Sequence, residues 1–96
     1  MVTDEEYERL AAESDASFLA QREALGEWEA AHRAAVSANE AATIAARWNR
    51  PDWETLADDA RAALSALHAA KVAYDVANDA AHAASTAFRA VNRKAE

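Results

Sequence analysis

The sequence predicts an all-α fold, and three observations carry that expectation. Thirty of the 96 residues are alanine, the strongest helix former. One glycine, Gly26, and one proline, Pro51, are too few for the turns of a sheet protein. Apolar residues recur at alternating three- and four-residue steps over most of the chain.

The first helix is expected over about residues 4–48. Thr3-x-x-Glu6 is a capping box: the Thr3 hydroxyl accepts from the Glu6 amide and the Glu6 side chain reaches back. Asp4, Glu5, Glu6 and Glu8 then sit at the positive end of the helix dipole. Gly26 and the stretch Ser14-Asp15-Ala16-Ser17 are places for a kink, but the apolar frame crosses both without a change of phase.

The turn is expected at residues 49–52, at the chain's midpoint. Arg50 precedes Pro51 and is pushed out of helical backbone. Asn49 tolerates a left-handed cap, and Pro51 suits the first turn of a new helix. The second helix then runs over about residues 53–92, with Arg89, Arg93 and Lys94 at its negative end.

Helix 2 carries twelve apolar residues in an unbroken 3-4 repeat, from Trp53 and Leu56 through Ala60, Leu67 and Tyr74 to Phe88 and Val91. That is the seam of an antiparallel coiled coil. Helix 1 offers a less pure partner: Ala11, Ser14, Phe18, Gln21, Leu25, Trp28, His32, Ala35, Asn39, Ala42, Ala46. Pairing positions whose numbers sum to 102 sets Phe18 against Ala84, Ser14 against Phe88 and Ala35 against Leu67. Large then meets small, which fills a core without voids, except where Trp28 faces Tyr74 in an aromatic layer that would fix the register. The same register sets Glu5 and Glu6 near Arg93 and Lys94. Gln21, His32 and Asn39 either specify register or sit at the seam edge and reach water. The expected domain is a single two-helix hairpin spanning residues 1–96.

One alanine-rich seam is a thin core. Ordering a residue costs about 1–2 kcal/mol, and burying a large apolar side chain returns roughly 1.5–3 kcal/mol. Each helix has a second stripe of small residues, including Ala12, Ala16, Ala30, Ala34 and Ala41 on helix 1 and Ala62, Ala66, Ala69, Ala73 and Ala80 on helix 2. Leu19, Ile44, Trp48, Val72 and Val76 would be left exposed in an isolated hairpin. The expectation is that another copy covers this surface, giving a four-helix bundle. The competing reading is that alanine is only the default filler of a GC-rich, actinobacterial or phage, helix. Arginine outnumbers lysine eight to two in the same sense.

Trp48 and Trp53 flank the turn, as a clasp closing the hairpin end or as an exposed anchor for a partner. Together with Leu19, Ile44, Val72 and Val76 they are the candidate partner-binding residues. His68, Lys71, Asp75, Asp79 and His82 form a polar ridge on helix 2, either a water-facing side or a recognition strip.

Two acid-x-x-His pairs, Glu29/His32 and Asp79/His82, have the spacing that di-metal bundles use. They fall about 14 levels apart in the folded hairpin, roughly 20 Å at helical rise, so no metal or other cofactor is expected. No nucleophile elbow, phosphate-binding glycine loop or paired-cysteine motif occurs, and catalysis is not expected. The net charge of −7 argues against direct nucleic-acid binding and against an anionic membrane surface. It permits a small acidic inhibitor or nucleic-acid mimic, although the acids cluster only at residues 4–8. No charge-free run exceeds about ten residues, too short to span a bilayer. The expected setting is the cytoplasm of a bacterial or phage-infected cell.

In size and in its central Trp-bearing turn the chain resembles the WXG-type proteins handled by type VII secretion systems. Trp48-Asn49-Arg50 has arginine where that family has glycine, and Tyr74 is followed four residues on by Asn78 rather than an acid. The resemblance implies leaderless secretion as a helical heterodimer. The residues themselves point to a non-enzymatic protein–protein association module, acting on itself or on a helical partner.

Overall fold

Thr3 starts the first helix as its sequence neighbours dictate. Its Oγ1 accepts from the Glu6 amide at 3.2 Å, and its carbonyl accepts from the Tyr7 amide at 3.0 Å. In the computed structural model, which describes the backbone of residues 2–95 and the side chains of residues 2–92, the two elements are α1 (Asp4–Arg47) and α2 (Trp53–Ala95). Neither the Ser14–Ser17 stretch nor Gly26 interrupts α1. The side chains of Arg93 and Lys94, and so their expected approach to Glu5 and Glu6, lie outside the described residues.

The reversal at residues 48–52 is a backbone device. Asn49 takes φ 51°, left-handed backbone that asparagine tolerates. The Arg50 amide donates to the Ala45 carbonyl at 2.9 Å and the Asn49 amide to the Ala46 carbonyl at 3.2 Å. That bond pair is a Schellman cap, which satisfies the carbonyls a helix end would leave bare. Pro51 does not open α2 as expected. It occupies the second position of a turn closed by the Trp53 amide donating to the Arg50 carbonyl at 3.2 Å, a place its fixed φ favours. Asp52 starts the helix instead, its carbonyl accepting from Leu56 at 3.0 Å while its carboxylate pairs with Arg50 at 2.9 Å.

The chain divides into two compact units. The turn unit, residues 25–72, holds the end of α1, the reversal and the start of α2. The terminal unit pairs residues 1–24 with residues 73–96. Within each, the stretches of α1 and α2 lie antiparallel.

On α2 the expected seam is found: of the twelve positions only Trp53 is exposed, at 41%, and Ala60 and Ala81 are buried. On α1 the phase is corrected by one residue at every second step. The covered positions are Ser14, Ser17, Gln21, Ala24, Trp28, Ala31, Ala35, Ala38, Ala42 and Ala45, an unbroken 3-4 repeat. Phe18, His32, Asn39 and Ala46 are exposed, and Leu25 is half-buried. Bulk misled the reading: Phe18 looks more like a seam residue than Ser17, yet the smaller side chain lets the helices approach.

The pairing register shifts with the phase. Gln21 lies across from Asn78 and Trp28 across from Lys71, pairs that sum to 99 rather than 102. Between the covered positions themselves the sum is 98, one less, which stands Ala31 across from Leu67 and Ala42 across from Leu56. Large against small therefore persists, with different partners. The described core is Ala24, Ala35, Ala45, Ala60 and Ala81, with Ser14 as its one buried polar residue.

Candidate association surface

A seam residue is followed and preceded by neighbours about 100° away on either side of the helix. In an antiparallel pair a two-fold axis stands normal to the plane of the two helices. The followers on both helices therefore share one face, and the predecessors share the other.

The follower face is polar and grooved in both units. In the turn unit Trp28, His32, Leu64, Leu67, His68 and Lys71 line a groove of about 370 Å³. The Lys71 ammonium lies 4.9 Å from the centroid of the Trp28 ring, a cation–π distance. Lys71 is half-buried there, so the ridge expected to face water folds one member back onto the neighbouring helix. In the terminal unit Phe18, Gln21, Ala81, His82, Ser85 and Arg89 line a second groove of about 230 Å³. At its floor Gln21 Nε2 donates to Asn78 Oδ1 at 2.6 Å. Gln21 thus acts as an interhelical tie, whereas His32 and Asn39 stand exposed at the edge. Nearer the termini, the rings of Tyr7 and Phe88 meet at 5.2 Å and 49°, an inclined aromatic pair.

The predecessor face differs between the units. In the turn unit it carries Ala30, Ala34, Ser37, Ala41 and Ile44 from α1, and Ala62, Ala66 and Ala69 from α2. All of these are exposed except half-buried Ala41, and the same face also holds the exposed charges of Glu27 and Asp59. In the terminal unit α2 presents an alanine-rich strip from Ala73 through Val76 to Ala90, but α1 sets Glu6, Arg9, Glu13 and Glu23 beside it.

The candidate partner-binding residues all reach the surface. Trp48 is 73% exposed, Val76 64% and Leu19 58%, while Ile44, Val72 and Trp53 each expose more than two-fifths. A tryptophan clasp over the hairpin end is therefore not formed; the Schellman cap closes that end with main-chain bonds. The sequence reading missed four further exposed apolar side chains, Tyr7, Phe18, Val36 and Leu64. Phe18 had been spent on the seam, and the phase of α2, where Leu64 follows Ala63, already marked Leu64 as lying outside it.

The four acid-x-x-His residues are exposed: Glu29 and His32 belong to the turn unit, Asp79 and His82 to the terminal unit. Among the described residues no three His, Cys, Asp or Glu side chains gather as a metal site would require. No helix among them is long and apolar enough to cross a membrane.

Fold and surface together define a class: an all-α chain of paired helices whose buried residues are small and which leaves many large apolar side chains exposed. No family model matches the chain, and no curated protein or solved structure is significantly similar to it.

Proposed function

We propose that this chain is a non-enzymatic helical association module that works as a homo-oligomer, two hairpins completing a four-helix bundle. One observation carries the reading. Among the described residues no large side chain is fully buried, while ten large apolar ones are more than a third exposed. Buried alanine returns little hydrophobic stabilisation, and each exposed leucine, valine or tryptophan forgoes roughly 1.5–3 kcal/mol that burial would supply.

The surface area points the same way. The chain exposes 7078 Å², whereas a compact monomer of 10.3 kDa exposes about 5400 Å². A standard protein interface removes about 800 Å² from each partner, roughly half of the excess. Sedimentation equilibrium at micromolar concentration tests the proposal. A mass of at least twice 10.3 kDa is expected, and a clean monomer across the concentration range would refute it.

A further inference from the structure

We infer that two copies meet through the follower face of the turn unit, with Glu29 of each lying over Lys71 of the other and Val36 of each over Leu64 of the other. The inference rests on the association reading above and adds to it the face that is covered and the register in which the copies lie.

The register within the chain orders this face into rungs. Each follower lies one residue beyond a seam position on its own helix, so followers that stand across from one another have numbers summing to 100, two more than the seam. Glu29 then shares a rung with Lys71, His32 with His68, Val36 with Leu64 and Asn39 with Arg61. The groove lined by His32, Leu64, His68 and Lys71 agrees with that order. Val36 is 45% exposed and Leu64 51%, so the apolar rung meets water from both helices.

The occupant is a second copy because the rungs complement their own image. A two-fold axis running along the hairpin lays α1 of one copy over α2 of the other and keeps every rung level with itself. Glu29 then meets Lys71 of the second copy and Lys71 meets its Glu29, two pairs of opposite charge from one rung. Val36 meets Leu64 in the same two-fold way. Asn39 meets Arg61, an amide oxygen against a guanidinium. His32 meets His68, and a neutral imidazole both donates and accepts. These four rungs set no acid against an acid. Each helix is antiparallel to its neighbours, the up-down plan of four-helix bundles. A copy turned end for end fits worse: matching Lys71 to Glu54 of the second copy sets Val36 over Asn39 and Leu64 over Arg61. The predecessor face fits worse too, since the same operation there sets Glu27 over Ala69. Charge complementarity thus selects the partner and the register, and covering the apolar rung supplies hydrophobic gain.

A charge exchange between copies tests the pairing. Glu29→Lys sets lysine over lysine in a self-pair, and Lys71→Glu sets glutamate over glutamate. A mixed pair of the two variants restores both opposite-charge contacts, which pairing inside one chain cannot do. Leu64→Glu buries a charge in the apolar rung, and Ala34→Glu places one on the opposite, predecessor face, where Ala34 is exposed. Sedimentation equilibrium is run on wild type, on each variant and on the equimolar mixture of Glu29→Lys with Lys71→Glu. Circular dichroism checks that each stays helical; should Lys71→Glu unfold, Glu29→Lys and Leu64→Glu carry the test. Wild type and Ala34→Glu are expected to remain dimeric, and the three face variants to weaken self-association by about ten-fold or more. The mixture is expected to regain dimer. A dimer that survives Glu29→Lys and Leu64→Glu, or that Ala34→Glu disrupts equally, overturns the face assignment and leaves association standing. Two folded charge variants that stay monomeric when mixed overturn the register. A monomeric wild type removes the association reading itself, and the face with it.

Discussion

The terminal unit and the turn unit are built on one 3-4 repeat and are held together differently. In the terminal unit two side-chain pairs bridge the helices, the Tyr7–Phe88 rings and the Gln21–Asn78 hydrogen bond, and Ser14 is buried. In the turn unit Ala35, Ala45 and Ala60 fill the seam, Lys71 over Trp28 is the side-chain contact between the helices, and beside the turn the covalent reversal supplies the register. The contrast teaches that a repeat fixes which residues face inward but not what makes the pairing unique. Near a tight turn connectivity does that. Far from it a polar or aromatic tie is needed, because an alanine seam alone would tolerate a slip of one heptad.

The largest expected effect lies in the turn unit. Ala45 is 0% exposed, so Ala45→Leu must push the helices apart and should cost about 1–3 kcal/mol, the usual penalty of overpacking. Urea denaturation of the variant measures this, and an unchanged midpoint would show that the seam beneath the turn is loose. In the terminal unit Asn78→Leu removes the acceptor of Gln21. Because that bond is only part-buried, water can replace it, and a loss of about 0.5–1.5 kcal/mol is expected. The same denaturation experiment compares the two units: should Asn78→Leu cost more than Ala45→Leu, side-chain ties outweigh seam packing. The smallest effect should be a gain. A Cβ at Gly26 meets nothing within 4 Å, so Gly26→Ala is expected to stabilise the helix by about 0.5–1 kcal/mol. A rise in melting temperature checks it, and a fall would mean that Gly26 relieves a bend.

The sequence was legible where one physical cue dominates. Asn49 and Pro51 placed the reversal, since few residues accept left-handed or fixed-φ backbone. Thr3 and Glu6 placed the start of α1. The α2 seam was legible because all twelve of its positions are apolar. On α1 the cue failed, because alanine and serine are nearly neutral in hydropathy and the bulkier Phe18 and Leu25 drew the phase toward themselves. The outward position of Leu19, Ile44 and Val76 was legible from the second stripes, and that of Val72 from its place outside the α2 seam. The exposure of Trp48 and Trp53 was not decided, since a clasp and an exposed anchor share one sequence. The Lys71–Trp28 contact was out of reach of a reading that counted Lys71 among water-facing residues; only the three-dimensional register brings the two together.

The tight reversal also bears on the order in which the chain assembles. Ala45 and Trp53, on either side of it, are close in sequence, whereas Tyr7 and Phe88 are separated by most of the chain. Closing the distal contact unaided would cost about 2 kcal/mol more in chain entropy than closing the proximal one, at about 0.6 kcal/mol per doubling of the loop. Pairing that begins beside Asn49 and advances layer by layer never meets that penalty at once. Connectivity alone therefore favours pairing that starts beside the turn, with the ties around Gln21 and Tyr7 expected to close last.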